Sequence, residues 1–538
     1  MINPSECIYL LHYTPPLELG ATPFLLQVSS GGSAEVTSIQ QLSKSNQPIV
    51  THSFSLLVDW FRHSNLPLPK LVVDLEIAKK LVIGRPKSDF NIEKPWDMPS
   101  MLLKYVPSQY DAKQVRATLI THIAKPHISD FSNLRWMTAV AVKLPALWQQ
   151  IQAELDASEE RQRFEDVEIP VYNLMLKVQY QGLILDPIQR DRFLQSIEDD
   201  YITAHYQLSI QEDIDVERAF SDIDYLSSRL SYPLHSAETF SDTQQIVKAR
   251  KGSDRICALL HKVASARRNK RILLRTVGIS EGCFPIYDTM GTVTGRILTI
   301  DPELQHLSKR YRGIIKPRPG HSSIYIDYSQ FEPNIMASIS KDPQLLALCN
   351  SGDIYERLAF ELCGGIEHRK TMKLLFLAYS YGKEVTSLSD FLMGIIESRR
   401  EAETVIQRHF LPIFEGIEKW KASTETHLQV AGRIGTLLGN NRHRTRDGVL
   451  APKERRWAIS QVVQGTGSLI LKKLLIELAT SVPEAHVMLP MHDALLLEIP
   501  EEKSAALTEE LLRCFRKVFS QTCPSVIPSV CEKDFVES

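Results

Sequence analysis

Two acidic side chains within apolar stretches are the strongest candidates for chemistry in this chain. Asp327 ends a run of strand-forming residues that starts at Ile324, and Asp493 interrupts the long apolar run between Val487 and Ile499. A carboxylate in apolar surroundings is costly unless a cation or hydrogen bonds compensate it. If the fold brings the two aspartates together, they can hold two magnesium ions, an arrangement that phosphoryl transfer uses. The sequence alone does not establish that they meet.

The segment from Ile366 to Gly382 is predicted to be a helix with a functional stripe. Four of its side chains recur every four residues: Arg369, Lys373, Leu377 and Tyr381. At that spacing they share one face of a helix. Two cations followed by an apolar and an aromatic side chain suit a nucleotide, with phosphates at one end and the base at the other. The segment alone is equally compatible with an amphipathic surface helix.

The composition bounds the class of protein. With 538 residues the chain is too long for one ordinary domain, and its 43% of apolar residues supply ample core. A net charge of −2 neither favours nor excludes nucleic acid, because local patches matter more than the total. The cysteines form no C-x-x-C pair, which is typical of a reduced intracellular protein. We expect neither a secretory signal nor a membrane helix, and a cytoplasmic location in a bacterial, phage or mobile-element context.

Apolar spacing predicts an α/β region followed by mainly helical stretches. Residues 1–100 alternate short strand-like runs with turn signals. Residues 135–163 are predicted to be helical, with a boundary near 160–165. From Ile169 to about Ile210 the spacing is again helical, broken at 182–187 by an extended piece and a proline.

Residues 248–275 are the strongest charge feature, with ten basic side chains and one acid, Asp254. Such a face is usually only solvated, but the one-sided excess favours contact with a phosphate backbone. The DNA-binding candidates of this segment are Arg267, Arg268, Lys270 and Arg271. A second basic cluster, which includes Arg456, follows the turn-forming residues Gly439-Asn440-Asn441.

Five motifs in order resemble those of one family. Asp327 to Glu332, read as DYSQFE, resembles the first palm motif of family A DNA polymerases, the bacterial DNA polymerase I group. Arg369-x3-Lys373-x7-Tyr381-Gly382 resembles the fingers helix of that family, and His492-Asp493 resembles its last palm motif. The other two matches are Thr294-Gly295-Arg296 with Pro302-x2-Gln305, and Gln464-Gly465-Thr466. The resemblance covers residues 165–538.

The resemblance implies an active site with two metal ions. Asp327 and Asp493 would hold two Mg²⁺ ions, for which Mn²⁺ could substitute, with help from the backbone carbonyl of Tyr328. One ion would activate the primer 3′-hydroxyl, and the other would neutralise the triphosphate and the leaving pyrophosphate. The implied partners are primer–template DNA and deoxynucleoside triphosphates, and no protein partner is predicted.

The resemblance also implies a nucleotide pocket. Arg369 and Lys373 would bind the triphosphate, where charge grows in the transition state. Glu332 would lie under the sugar and exclude a 2′-hydroxyl, and Tyr381 would stack in the template-base position when the fingers open. The side chains expected along the primer–template minor groove or at the primer end are Arg296, Gln305, Gln464 and His492.

Four positions depart from the family pattern around the pocket. Leu377 stands in place of an aromatic that contacts the nucleotide sugar, although Phe376 is adjacent, and Tyr355 replaces a histidine near the phosphates. Pro333-Asn334 occupies the place of a Leu-Arg pair, and Ala494 stands where an acid is common. No metal ligand is lost, but we expect effects on nucleotide affinity, speed and sugar selectivity.

The first 164 residues resemble, more weakly, the 3′–5′ proofreading domain of the same family. Proofreading needs two metals held by acids on three motifs, and without carboxylates there is no counter-charge for Mg²⁺. The expected acidic positions carry His12 and Thr14 on the strand Ile8 to Tyr13, then Ser53 and Leu57, then Gln114 after Tyr110. Asp74-Leu75-Glu76 is itself a D-x-E, but its position fits a later, non-catalytic strand. We expect a scaffold without exonuclease activity.

These patterns predict an α/β, RNase H-like region of exonuclease type (1–164) and an α+β right-hand polymerase domain (165–538). The polymerase domain would have its thumb at about 165–292, its palm at about 293–335 and 430–538, and its fingers at about 336–429. The predicted activity is DNA-templated extension of a primer with dNTPs, without proofreading and of low fidelity.

Two alternatives stay open. A single-subunit RNA polymerase or a reverse transcriptase would use a similar palm, and Glu332 argues against ribonucleotides. A catalytically weak or inactive DNA-binding accessory protein would account for the four departures. The retained Asp327, Asp493, Arg369 and Lys373 argue against that second alternative.

Overall fold

The computed structural model describes residues 2–15, 22–29, 32–85, 94–108, 110, 116, 136–231, 242–277, 282–393 and 395–537. Within these ranges the chain forms two main sheets, a helical arm and a helical insert. No helix of the described ranges is long and apolar enough to cross a membrane.

The N-terminal region is built on a sheet of order β3-β2-β1-β4-β5. Its strands are β1 (Ile8–Tyr13), β2 (Phe24–Val28), β3 (Ala34–Val36), β4 (Ile49–Thr51) and β5 (Val72–Asp74). Its helices are α1 (Ile39–Ser43), α2 (Val58–His63), α3 (Leu75–Ile83), α4 (Met98–Leu102), α5 (Trp136–Ala141), α6 (Leu144–Ala157) and α7 (Arg161–Arg163). β1 runs antiparallel to β2 and parallel to β4, and it is buried except at its first residue. Burial on both faces explains its continuous apolar sequence, and the predicted first strand is confirmed.

Helix α8 (Ile169–Gln181) connects this region to the rest of the chain, because its two faces enter different hydrophobic cores. A helical arm follows, made of β6 (Ile184–Leu185), α9 (Pro187–Tyr206), α10 (Val216–Ser221), α11 (Ile223–Arg229), α12 (Thr243–Arg250) and α13 (Arg255–Leu274). In the arm α9 packs along α13, over a small core that includes Leu226 and Leu260. The predicted helix break at 182–187 is confirmed, since β6 lies there.

The second sheet has the order β13-β14-β10-β15, and each strand is antiparallel to its neighbours. The strands of this half of the chain are β7 (Ile286–Asp288), β8 (Leu298–Asp301), β9 (Ile315–Lys316), β10 (His321–Tyr328), β11 (Arg433–Ile434), β12 (Arg442–His443), β13 (His486–Pro490), β14 (Ala494–Pro500) and β15 (Val530–Glu532). The predicted strand at Ile324 is β10. The long apolar run is the hairpin of β13 and β14, which turns at His492 and Asp493.

Helices fill the sequence between β10 and β11, another precedes β13, and the last follows β14 and packs against the second sheet. They are α14 (Phe331–Ser340), α15 (Pro343–Ser351), α16 (Ile354–Cys363), α17 (Arg369–Ser380), α18 (Val385–Ser389), α19 (Arg399–Val405), α20 (Glu415–Ala431), α21 (Pro452–Ser481) and α22 (Ser504–Thr522). The buried face of α17 is aromatic: the ring of Phe376 lies 5.3 Å from that of Phe414, and Tyr379 lies 5.1 Å from Phe410. The predicted helix at 366–382 is therefore confirmed as α17, which follows a short 3-10 turn.

A fully buried ion cluster fixes the N-terminal region to helix α21. Glu168 accepts hydrogen bonds from Arg163 Nε at 2.8 Å and from Lys472 Nζ at 2.6 Å, and all three side chains are 0% exposed. Close by, Lys80 of α3 pairs with Asp288 of β7 at 2.9 Å. Buried charges are tolerated only when they are well paired. These contacts therefore hold the two halves of the chain in a defined arrangement.

Candidate active site on the second sheet

The second sheet brings the two candidate aspartates side by side. Asp327 lies near the end of β10, directly opposite Ala494, and Asp493 immediately precedes Ala494 at the start of β14. The backbone amide of Tyr328 donates to the carbonyl of Asp493 at 3.2 Å. Two residues far apart in sequence thus become neighbours on adjacent antiparallel strands.

The pleat of β10 determines which way Asp327 points. Ile324, Ile326 and Tyr328 are buried, so the intervening Asp327 faces the opposite, more open side of the sheet. Tyr328 then stacks on Phe331 of α14 with ring centroids 4.8 Å apart, which fixes the turn from strand to helix. The alternating burial along β10 thereby orients the carboxylate.

The electrostatics of the pair favour a cation. Burial and the charge of Asp493 raise the pKa of Asp327, while Lys533 and Lys373 oppose that increase. Lys533 Nζ lies 3.3 Å from Asp327 Oδ2. Carboxylate and carbonyl oxygens are the donors that Mg²⁺ takes, and it usually needs only one or two protein carboxylates when substrate phosphates supply the rest. The pair fits that requirement, although the described residues contain no cluster of three or more His, Cys, Asp or Glu that could hold a metal.

Glu332 is held at the start of α14 by two hydrogen-bond donors. The Tyr381 hydroxyl donates to Glu332 Oε2 at 2.5 Å, and Arg296 Nη2 donates to Oε1 at 3.0 Å. Burial and the Glu332 charge raise the pKa of Tyr381, and a hydrogen bond with Gln464 lowers it. Four residues from four separate motifs therefore converge on one chain of contacts that ends near the aspartates.

The cations of α17 are placed differently from each other. Lys373 is exposed and close enough to Asp327 to lower its pKa. Arg369 instead pairs with Asp353, the N-cap of α16, through contacts of 2.5 and 3.1 Å, and its guanidinium lies 5.5 Å from the Tyr355 ring centroid. The ion pair with Asp353 thus fixes the guanidinium of Arg369 at the start of α16.

The two substituted pocket positions have different surroundings. Leu377 is half-buried on α17, as part of the stripe that begins at Arg369. Tyr355 is 3% exposed and packs edge-on against Phe376 at 6.2 Å. Phe376 is itself 0% exposed and faces the aromatic core, so it does not replace the aromatic that is missing at 377.

Gln305 contacts the β13–β14 hairpin and His492 lies in its turn, but the two differ in exposure. Gln305 is 6% exposed, and its amide donates to the carbonyls of Pro490 at 2.6 Å and Ile297 at 3.1 Å. This amide clamps the hairpin, and the placement does not support the predicted direct contact with DNA. His492 is exposed at its edge, and partial removal from water together with the charge of Arg296 lowers its pKa.

The basic segment of α13 is less one-sided in space than in sequence. Acids from other elements pair with three of the four candidate cations: Arg267 with Glu217, Lys270 with Glu198, and Arg271 with Glu303. Arg267, Arg268 and Arg271 also line a cleft of about 750 Å³ between α12 and α13, with Lys248 and Lys251. The positive charge expected from the sequence is therefore partly neutralised, because acids from other elements pair with Arg267 and Arg271 inside the cleft and with Lys270 outside it. Arg456 is exposed at the start of α21, beside Gly382.

The predicted exonuclease positions have structural partners instead of acids. The buried His12 ring bonds to Thr14 Oγ1 at 2.8 Å and to the carbonyl of His52 at 2.7 Å. Asp74 caps α3 by accepting from the amides of Glu76 at 2.8 Å and Ile77 at 3.1 Å. Ser53 has a left-handed backbone and Leu57 is buried, while Gln114 lies outside the described residues. The first carboxylate of the D-x-E, Asp74, therefore serves as the N-cap of α3.

Asp353 and Lys533 contact predicted site residues but were not predicted from the sequence. Asp353 holds Arg369, and its position before an amphipathic run is an ordinary N-cap signal that does not reveal this second contact. Lys533 contacts Asp327 from the position directly after β15. No local pattern marks Lys533, because only the pairing of β15 with β10 brings it there.

The chain is similar in sequence to known DNA polymerases. A sequence model of DNA polymerase family A matches residues 259–531, just over half of the 538 residues. DNA polymerase theta of Caenorhabditis elegans is 29% identical over 243 residues, which are 43% of this chain and 15% of that protein. DNA polymerase I of Caldicellulosiruptor bescii is 24% identical over 421 residues, 72% of this chain and 48% of that protein. DNA polymerase I of Deinococcus radiodurans is 30% identical over 241 residues, 41% of this chain and 25% of that protein.

The fold was compared with solved structures. The POL domain of Pol1 from M. smegmatis, solved in complex with DNA primer-template and dNTP, matches with a TM-score of 0.75 at 17% identity. The match covers 98% of this chain and 94% of that one, and at such low identity it establishes a shared mixed helix and strand fold. The chain spans less than half of the length of the three curated relatives named above. The family match, the order of the motifs and the shared fold agree: this chain belongs to DNA polymerase family A.

Proposed function

We propose that this chain is a DNA-templated DNA polymerase that adds dNTPs to a primer 3′-hydroxyl by phosphoryl transfer. The observation that carries the proposal is the side-by-side placement of Asp327 and Asp493 on β10 and β14. The relatives are named DNA polymerases, and the matching solved domain was bound to primer–template DNA and dNTP. Both facts support the proposal for this chain.

The carboxylates of Asp327 and Asp493 and the backbone carbonyl of Tyr328 would hold two Mg²⁺ ions, or Mn²⁺ in their place. The bound ions would supply Lewis-acid activation of the 3′-hydroxyl and charge neutralisation of the leaving pyrophosphate. The protein itself contributes alignment, since the amide of Tyr328 ties β10 to the Asp493 carbonyl. Positioning of this kind is a large part of phosphoryl-transfer catalysis.

The fingers helix α17 would deliver the triphosphate to these carboxylates. Lys373 is free to approach, because it is exposed and already acts on Asp327 at a distance. Arg369 would exchange Asp353 for the triphosphate, to whose oxygens a guanidinium can make a bidentate contact. Leu377 and Tyr355 would line the pocket and lower its affinity for the nucleotide.

Glu332 would set the preference for deoxyribose. Tyr381 and Arg296 hold both of its oxygens, so the side chain cannot swing away from a 2′-hydroxyl without breaking two hydrogen bonds. The clamp would make ribonucleotides poor substrates, against the alternative of an RNA polymerase. Tyr381 would also occupy the template-base position while the fingers are open.

The DNA would lie along the remaining predicted contacts. The minor groove or the primer end would be contacted by Arg296, Gln464 and His492. Arg456 would contact the template near the fingers. The cations of α13 would bind the phosphates of the duplex backbone. Accordingly, residues 165–292 would form the thumb, 293–335 with 430–538 the palm, and 336–429 the fingers. The length and exposure of the α9–α13 arm support this division.

The N-terminal region, residues 1–164, would be a degenerate RNase H-like exonuclease domain that acts as a scaffold. The bonds of His12, the capping role of Asp74 and the ion cluster at Glu168 support that role. Absence of proofreading, combined with the altered nucleotide pocket, would make synthesis error-prone. A misincorporation assay with accuracy at the level of a proofreading enzyme would contradict this proposal.

The test is extension of a labelled primer on a DNA template with Mg²⁺ and dNTPs. We expect extension by the wild-type protein, none by Asp327→Asn, and much weaker extension when rNTPs replace dNTPs. Surface variant Asp534→Asn, close by in sequence to the Asp327 contact Lys533, is the matched control. The same gel without nucleotides reports exonuclease activity, which we expect to be absent. Primer–template binding without any extension would favour the inactive accessory protein instead.

A further inference from the structure

We propose that Lys533 is a built-in counter-cation of the active site, which competes with divalent metal for Asp327 and keeps the resting affinity for metal low. The inference rests on the proposed metal site at Asp327 and Asp493. It assigns a function to a residue near the end of the chain that no sequence motif includes.

The backbone around Lys533 is fixed, so its contact with Asp327 is built into the fold. Strand β15 pairs with β10 with Cys531 opposite Asp327, and the amide of Lys533 then donates to the carbonyl of Tyr325 at 2.9 Å. Two residues later, the ring of Phe535 packs against that of Tyr325 with centroids 5.3 Å apart. With the backbone held on both sides, Lys533 Nζ reaches to 3.3 Å from Asp327 Oδ2.

Lys533 lies beside a carboxylate, Asp327, that has a second negative charge, Asp493, close by. Directly opposite Asp327 on its two neighbouring strands lie Ala494 and Cys531, and neither contributes a carboxylate or another oxygen ligand. Asp493 adds a like charge, which opposes ionisation of Asp327, whereas Lys533 favours it. A single ammonium beside Asp327 thus supplies part of the positive charge that a metal ion would supply to this carboxylate.

Lys533 can also leave. Its side chain is 41% exposed and borders an open groove lined by Lys309, Glu532, Lys533 and Asp534. An ion pair of such exposure is weak, because water and salt screen it. A doubly charged ion can therefore displace the ammonium, but it must compete for the same carboxylate oxygen. The site should then fill most readily when a nucleotide brings additional negative charge.

The experiment measures Mn²⁺ binding to the full chain without DNA or nucleotide, by electron paramagnetic resonance of free Mn²⁺. We expect Lys533→Met to bind Mn²⁺ about two- to fivefold more tightly than wild type, the range that a partly exposed ion pair allows. Lys533→Arg should show no gain, since it keeps the charge. Lys309→Met is the matched control, because it removes a cation from the same groove and should leave the affinity unchanged.

A second readout guards against a folding defect. In EDTA, Lys533→Met should melt at a lower temperature than wild type, because the acid pair loses a counter-charge, and Mn²⁺ should raise its melting temperature more than it raises that of wild type. Equal Mn²⁺ affinity and equal Mn²⁺-induced stabilisation in the two proteins would overturn the inference. Asp327→Asn should abolish Mn²⁺ binding. If the wild-type protein binds no Mn²⁺, or if Asp327→Asn binds it equally well, both this inference and the proposed metal site are overturned. Absence of primer extension, with the Lys533→Met effect intact, would overturn only the polymerase proposal.

Discussion

Removing the carboxylate of Glu168 should be among the most damaging single changes that a conservative substitution can make in this chain. Glu168→Gln keeps the shape of the side chain but leaves Arg163 and Lys472 as two neighbouring cations, each 0% exposed, without their shared acid. Because the cluster joins the N-terminal region to helix α21, which also carries Gln464, the defect should loosen the palm as well as the scaffold.

The magnitude follows from the geometry. Breaking a buried ion pair by removing one partner typically costs about 3–5 kcal/mol. Burial lowers the pKa of Lys472 to about 8, even though Glu168 opposes that decrease. Without Glu168 its pKa should fall further, and Lys472 should become neutral near pH 7. Neutralisation limits the cost to about 5 kcal/mol, because holding a lysine neutral costs about 1.4 kcal/mol for each unit between the pH and its ordinary pKa.

The loss also has a pH signature. A lysine whose pKa is lowered by folding binds fewer protons in the folded state than in the unfolded state, so stability rises with pH between the two pKa values. In wild type that rise should begin near pH 8, and in Glu168→Gln it should begin at lower pH. Urea unfolding followed by circular dichroism between pH 6.5 and 9.5 measures both effects.

A matched surface pair on the same helix provides the control. Glu477 of α21 pairs with Lys517 at 2.7 Å, but the two side chains are 21% and 52% exposed. Glu477→Gln should therefore cost no more than about 1 kcal/mol. The double variant Glu168→Gln/Lys472→Met should recover part of the loss, since it removes one orphaned charge. If Glu168→Gln were no worse than Glu477→Gln, the cluster would not hold the two halves together and the reasoning would be refuted.

Three further outcomes follow from one contact in the N-terminal region and two at the candidate site. Burial and the charge of Asp74 raise the pKa of Glu76 to about 7, so the folded state holds an extra proton and stability should fall as the pH rises from about 4.5 to 7; in Glu76→Gln that decline should disappear from the unfolding midpoints. Gln305→Ala should lower the free energy of unfolding by about 2–3 kcal/mol, because buried backbone groups lose their partners, and equal urea midpoints would contradict the clamp. Tyr381→Phe should weaken discrimination against rNTPs about tenfold in single-nucleotide insertion, by freeing Glu332, and unchanged discrimination would argue against that role.

Much of the architecture could be predicted from local patterns. Three local patterns each correspond to one element: the strand-forming run of β10, the apolar run of β1 and the four-residue repeat of α17. Such patterns are local because burial acts at the scale of a few residues. The motif resemblance predicted the family, which the comparison confirmed over residues 259–531.

Pairings between distant elements could not be predicted in the same way. The basic excess of α13 reads as one-sided in the sequence, but acids such as Glu198 and Glu217 arrive from α9 and α10 and neutralise part of it. Arg369 pairs with Asp353, and Lys533 with Asp327, through contacts that depend on the packed fold. Local sequence carries the preference for a helix or a strand, whereas these charge pairs depend on three-dimensional proximity.

The most direct test of the central claim is single-turnover primer extension with saturating DNA, dNTP and Mg²⁺, comparing Asp327→Asn and Asp493→Asn with wild type. Each substitution keeps the size of the side chain and removes one ligand charge. We predict a loss of about three orders of magnitude in the rate for each variant, equivalent to about 4 kcal/mol of transition-state stabilisation, with primer–template affinity retained. Extension by either variant at the wild-type rate would contradict the assignment of this pair as the catalytic metal site.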